Sequence, residues 1–261
     1  MRHSAKGRTR WITAGLVLVG TVALAEEPQS ILRNLFESLS EDIDAAEAEV
    51  KGAQSFEEAA TRPGPLRPGL INCAILTYGE GKTSRCFSSE FLAQASRETN
   101  INCNPKFVST LLESAELFEC PFAVMTGEGE FELTEAQQVN LRSYLENGGF
   151  VIASAGCSSE EWQTSFRQAI GKVFPDVPLR ALEMSHPVFH TVYDIKELRC
   201  KGTHQAHLEG LEIDGKIVLI FSPDGLNDTG KAGPRCCCCG GNEIQNSRQM
   251  NVNLLSYTLT H

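Results

Sequence analysis

From Leu70 onward, short apolar runs alternate with stretches in which apolar residues recur every three or four positions. Leu70 to Tyr78 is an apolar run suited to a buried strand, and Ser89 to Thr99 is helical in pattern through Phe91, Leu92 and Ala95. Phe122-Ala123-Val124-Met125 predicts another buried strand, leading into the glycine-containing loop Thr126-Gly127-Glu128-Gly129-Glu130. The clearest helix follows: Thr134 and Gln137 have capping-box spacing, Val139, Leu141, Tyr144 and Leu145 supply apolar positions, and Gly148-Gly149 stops it. Phe150 to Ala155 predicts a strand. Ser158 with Glu161 opens a second boxed helix, whose Trp162, Phe166, Ala169, Ile170 and Val173 fall on one face. Asp214-Gly215, between Leu211-Glu212-Ile213 and the run Ile217 to Phe221, predicts a hairpin, and Ile244 to Thr260 a closing helix. Strand-helix alternation with near-continuous apolar strands predicts an α/β fold on a mainly parallel sheet covered on both faces.

Upstream the pattern is different. Arg2, Lys6, Arg8 and Arg10 precede an apolar run from Trp11 to Ala25 that ends in Ala23-Leu24-Ala25. This is the layout of a secretory signal peptide, expected to span residues 1–25, and the run is short of the roughly 20 residues that cross a bilayer. Residues 26–62 predict an acidic amphipathic helical arm, with Ile31, Leu35, Leu39 and Ile43 at four-residue spacing and ten acids against three bases. Residues 63–69, Pro63-Gly64-Pro65-Leu66-Arg67-Pro68-Gly69, are a linker that cannot continue a helix, so residues 70–261 form the α/β domain. The expected location is exported, periplasmic or extracellular, with no transmembrane anchor after signal cleavage.

Composition adds exclusions. The 261 residues are 41% apolar and 21% charged, a globular balance, and the net charge of −10 lacks the basic face a nucleic-acid partner requires. Without the four bases of residues 1–25 the net becomes −14. Walker, GxGxxG, HExxH and GxSxG motifs are absent from the sequence.

Five segments, PFAVMTGEGEF at 121–131, LRSYLENGGFVIAS at 141–154, FRQAIGKVFPDVPL at 166–179, SHPVFHTVYDI at 185–195 and CCCCGGNEI at 236–244, resemble the bacterial domain of unknown function 4159 family. That family is similar to the class I glutamine amidotransferase-like superfamily. The resemblance implies a flavodoxin-like three-layer sandwich and no established activity.

Cys157 stands between a strand and a helix start, where free N–H groups and the helix dipole favour a thiolate, and small Ala155 and Ser159 flank the turn. The turn looks like the nucleophile elbow of the glutaminase superfamily. Gly127, Glu128 and Gly129, with Ser158, form the expected ligand-binding loop, its backbone N–H groups available to an oxyanion. Glutaminases carry glycine two residues beyond the cysteine and a later His-Pro-Glu or His-x-Glu. Here Ser159 occupies the first place, and His186 and His190 are the nearest candidates for the base, neither followed by such a glutamate. Glu128 and Glu130 are also read as solvated loop residues, and Asp224, Asn227 and Asp228 as a turn.

The mature chain holds ten cysteines, four of them consecutive: Cys236, Cys237, Cys238 and Cys239. Four in a row cannot all ligate one tetrahedral ion, but two of them with Cys200, His204 and His207 would suit Zn or Cu(I). Disulfides, up to five, are the competing account in an exported protein. Three functions follow, in order: a non-catalytic module binding a small-molecule or protein partner, with no cofactor required; a cysteine-dependent hydrolase or amidotransferase-like enzyme using Cys157; and a thiol-rich metal or redox protein.

Overall fold

The computed structural model describes residues 64–79, 87–200, 204–228 and 244–261. The expected signal peptide and acidic arm, with Cys86 and the run from Cys236 to Cys239, lie outside the described residues. In chain order the elements are β1 (Cys73–Thr77), α1 (Glu90–Glu98), β2 (Val108–Leu111), β3 (Phe122–Gly127), α2 (Glu135–Glu146), β4 (Phe150–Ala155), α3 (Glu160–Val173), β5 (Arg180–Ala181), β6 (Glu209–Ile213), β7 (Lys216–Ser222) and α4 (Ser247–Thr260). They form one seven-stranded sheet of order β2-β1-β3-β4-β7-β6-β5. β2, β1, β3, β4 and β7 run parallel, and β6 and β5 are antiparallel additions.

Every residue of β3 and β4 is buried, as strands covered on both faces must be. One face packs Phe91, Leu92 and Ala95 of α1 and Met250, Leu254 and Leu255 of α4 against Phe122, Val124, Phe150 and Ile152. The other packs Leu141, Tyr144 and Leu145 of α2 and Trp162, Phe166 and Ile170 of α3 against Ala123, Met125, Val151 and Phe221. Thr134 and Gln137 make the full capping box of α2, and Asp214 and Gly215 take positive φ in the β6–β7 turn.

Several expectations are corrected. Val139 is not a core position: Gln137, Leu141, Tyr144 and Leu145 make the buried stripe of α2, and Val139 falls on the opposite side, exposed. The helix after β4 is capped by Ser159, not Ser158: its hydroxyl accepts the Trp162 N–H at 3.3 Å. Cys157 and Ser158 are both left-handed (φ 50° and 53°), so helical geometry begins one residue late and a tryptophan occupies the third position, where a capping box needs Glu or Gln. Cys73, Cys103 and Cys120 are buried and unbridged, which removes the five-disulfide arrangement.

Arg167 of α3 ties the antiparallel edge to the parallel core. Its guanidinium makes two hydrogen bonds to Glu209 of β6, at 2.7 and 2.6 Å, and lies 4.7 Å over the Phe221 ring. Burial raises the Glu209 carboxyl, but bonding and charge from Arg167 and His207 outweigh it and hold the group below its usual value. Stability from this pair is therefore present above the unfolded-chain carboxyl value and lost as pH falls through the lower folded value. Arg167→Leu should cost roughly 1–3 kcal/mol at neutral pH, less than a fully buried pair because half of Arg167 meets solvent. Urea unfolding of both proteins should show the gap narrowing at about pH 3; an undiminished gap would assign the loss to packing on Phe221.

Candidate functional site

The carboxyl ends of β3, β4 and β7 are in register, with Thr126 beside Ser154 and Ser154 beside Ser222. These three hydroxyl residues are fully buried. The Ser154 hydroxyl accepts the Leu226 N–H at 2.9 Å and donates to Asn227 Oδ1 at 3.1 Å, and Ser222 accepts the Gly225 N–H at 3.1 Å. The residues after β7 are thus held by strand-end side chains. In open α/β sheets ligands collect at this edge, and Glu128 leaves it next to the point where the strand order reverses, between β1 and β3.

Above this floor the left-handed turn at Cys157 lifts the thiol, half-buried, out of β4. A non-glycine residue in this region is strained by about 1–2 kcal/mol, and such strain concentrates at functional sites. The Cys157 thiol donates to Glu128 Oε1 at 3.5 Å, and Ser158 Oγ donates to the Asp224 carbonyl at 2.9 Å. Gly156 permits this approach: a Cβ there would stand 3.0 Å from both the Gly127 carbonyl oxygen and Glu128 Cγ. The Gly129 N–H donates to Ser159 Oγ at 3.1 Å, so the donor expected to face an oxyanion instead anchors the loop to the cap of α3. A groove of about 1030 Å³ opens beside the same loop, between Glu130–Thr134 and α3, and Cys157 is not in its wall.

Asp224 is 6% exposed, and its Oδ1 meets His204 Nε2 at 2.5 Å while Oδ2 has no hydrogen-bond partner among the described residues. Cys200 joins them: one donor atom from each of Cys200, His204 and Asp224 lies within 4.8 Å of the other two. Glu128, Cys157, Ser158 and the Asp224–His204–Cys200 cluster are therefore linked along one edge, and their carboxylates and thiols favour a cationic or hydrogen-bond-donating ligand over an anion.

The remaining expected residues go elsewhere. His207 pairs with Glu209 at 3.1 Å and is not among the residues that gather with Cys200 and His204. His186 Nδ1 accepts the Val188 N–H at 3.3 Å, and its ring packs 6.0 Å from that of Tyr257. Tyr257 in turn lies 6.5 Å from Phe150, the first residue of β4, whereas Cys157 follows the last. Six residues of strand separate the two ends by about 20 Å, so His186 sits at the opposite edge of the sheet. Both ring nitrogens of His190 are engaged, by Asp194 and the Met184 carbonyl, each at 2.7 Å. Asp224 and Ser159 carry more of the site than their sequence context suggested. The signal for Asp224 was its place: like Cys157, it stands two residues after the end of a buried apolar strand.

A family model described as Domain of unknown function (DUF4159) matches residues 72–259. No curated protein matches the chain.

Proposed function

We propose, for a chain that belongs to the DUF4159 family of domains of unknown function, that the carboxyl edge of its sheet is a ligand site and that the protein is an exported binding module. The observation that carries this reading is the left-handed turn of Cys157, which holds a thiol against the Glu128 carboxylate at the strand ends. The two histidines expected as its base, His186 and His190, are engaged elsewhere, which favours ligand recognition over attack on a carbonyl. The strand order 2-1-3-4 of the parallel half supports the similarity to flavodoxin-like and class I glutamine amidotransferase-like sandwiches. Export rests on the layout of residues 1–25.

A second reading, a cysteine-dependent hydrolase, draws on the same strained turn, since nucleophile elbows are built this way. One experiment separates the two. Burial pushes up the thiols of Cys73 and Cys103, and that of Cys120 to about 11, so iodoacetamide should label Cys157 in the native protein and leave those three until denaturant is added. p-Nitrophenyl acetate should then give no burst of nitrophenolate. A burst of one equivalent per chain, lost in Cys157→Ser, would establish the hydrolase. Native mass spectrometry of the protein isolated from its own cells should show a small molecule displaced by carboxamidomethylation of Cys157; a bound molecule indifferent to that modification would place recognition elsewhere.

A further inference from the structure

We propose that Cys200, His204 and Asp224 form a zinc-type metal site at the carboxyl end of β7, independent of any ligand at Cys157. The three donors are a thiol, an imidazole and a carboxylate, each of them a zinc ligand, and three protein ligands leave a fourth position open. A thiolate among them disfavours magnesium and calcium, which require oxygen donors throughout.

The described backbone flanking the donors is held in place by pairing and hydrogen bonds. Arg199 and Gln205 form an antiparallel bridge that closes the loop bearing Cys200 and His204, which brings these two residues, four apart, to one place. Arg199 is itself held by Asn246, whose Oδ1 accepts its N–H at 3.0 Å, and by its carbonyl, which accepts the Gln245 N–H at 2.7 Å. On the other side, the Ser158 hydroxyl on the Asp224 carbonyl and the Ser222 hydroxyl on the Gly225 N–H fix Asp224. The donors thus come from two separate parts of the chain, held by residues of two others.

The carboxylate itself points to a cation. Asp224 is nine-tenths buried, yet His204 occupies only one of its oxygens and Oδ2 is without a hydrogen-bond partner among the described residues. A buried carboxylate oxygen left in this state is costly, and a divalent ion between the three side chains compensates it directly. His204, 43% exposed, provides the way in. Tetrahedral zinc sets neighbouring donors roughly 3.3–3.6 Å apart, so donors that already lie within 4.8 Å of one another need shifts of only about 1 Å on loading, the His204–Asp224 contact at 2.5 Å opening to admit the ion. Binding releases the Cys200 thiol proton to solvent as sulfur becomes a thiolate ligand. His207, grouped with these residues by spacing alone, is not part of the site because Glu209 holds it.

Cobalt(II) is the probe. The reduced, chelator-treated full chain should develop the intense visible bands of tetrahedral cobalt with a sulfur-to-cobalt charge-transfer band, and zinc should bleach both. Cys200→Ser should remove the charge-transfer band, and His204→Gln should weaken cobalt binding at least tenfold. His204 lies at the surface, so its variant should fold normally, and Asp224→Asn, should it fold, should behave alike. Serine at all four positions 236–239 should leave the spectrum in place. The proposal is overturned if the wild-type chain gives no tetrahedral cobalt spectrum. It is equally overturned if the spectrum survives Cys200→Ser and His204→Gln but vanishes on replacement of the cysteine run.

Discussion

Replacing Gly127 with alanine should lower the free energy of unfolding by about 2–3 kcal/mol, although it adds a single methyl group. The added carbon would lie 2.4 Å from the Tyr78 hydroxyl and 2.8 Å from Trp162 Nε1. Neither neighbour can retreat. The Tyr78 hydroxyl donates to the Thr126 carbonyl at 3.0 Å and accepts the Trp162 indole N–H at 2.6 Å. Trp162 is stacked on Phe166 and packed against Phe131 and Phe221. Gly129, two residues on, separates the two ways a glycine can matter. It has open space around its Cβ direction and φ of +73°, so Gly129→Ala should cost about 1 kcal/mol, from backbone strain alone. Because the closest clash at Gly127 is with one oxygen, Tyr78→Phe should relieve part of it, and Gly127→Ala should cost about 1 kcal/mol less in that background. Urea unfolding of the wild type, the three single variants and the double variant measures all three quantities. If Gly127→Ala costs no more than Gly129→Ala, the close packing at the end of β3 is not what holds that strand end in place.

This dependence of β3 on α3 and on the residue after β1 marks where sequence reading succeeds and where it stops. Strands β3 and β4 were legible because both faces are buried and the apolar run is unbroken. Helix α2 was legible because its cap, stripe and glycine stop agree. β2 was missed because its four residues alternate buried and exposed at a sheet edge, with Leu111 facing outward, and β5 because both its residues are exposed. Cys157 was legible as a strand-to-helix turn residue. Its left-handed backbone was not, since no glycine marks it, and so the cap was placed one residue early. Spacing also could not decide between His207 and Asp224 as the companion of Cys200 and His204. C-x3-H-x2-H is a local pattern, whereas Asp224 returns to Cys200 and His204 only because the β6–β7 hairpin folds the chain back on itself, which residue spacing does not display.

The histidine-bearing segment SHPVFHTVYDI has a structural explanation, and a second large effect follows from it: Asn253→Leu should cost about 3–5 kcal/mol. Asn253 lies on α4, fully buried among apolar neighbours that would by themselves suit leucine. Its Oδ1 accepts the N–H groups of Val192 and Tyr193 at 3.0 and 2.8 Å, and its Nδ2 donates to the Tyr193 carbonyl at 2.9 Å. One side chain thus satisfies three backbone groups of the segment and clamps it to the helix, with Val188 and Phe189 inserted into the core below. Leucine fills the same space but leaves those groups without partners, each worth about 1–3 kcal/mol and not fully additive. A second measurement tests the clamp locally. Burial lowers the His186 imidazole below its usual range in the native protein. When the clamp is lost the segment should loosen, water should reach the ring, and an NMR titration should find His186 protonating at a higher pH than in the wild type. If His186 titrates unchanged while stability falls, the segment is held by Val188 and Phe189 and Asn253 serves α4 alone. If both move together, the histidines of this segment belong to the anchoring of α4 on the sheet, and the chemistry of the protein is left to the opposite edge, where Cys157, Glu128 and Asp224 meet.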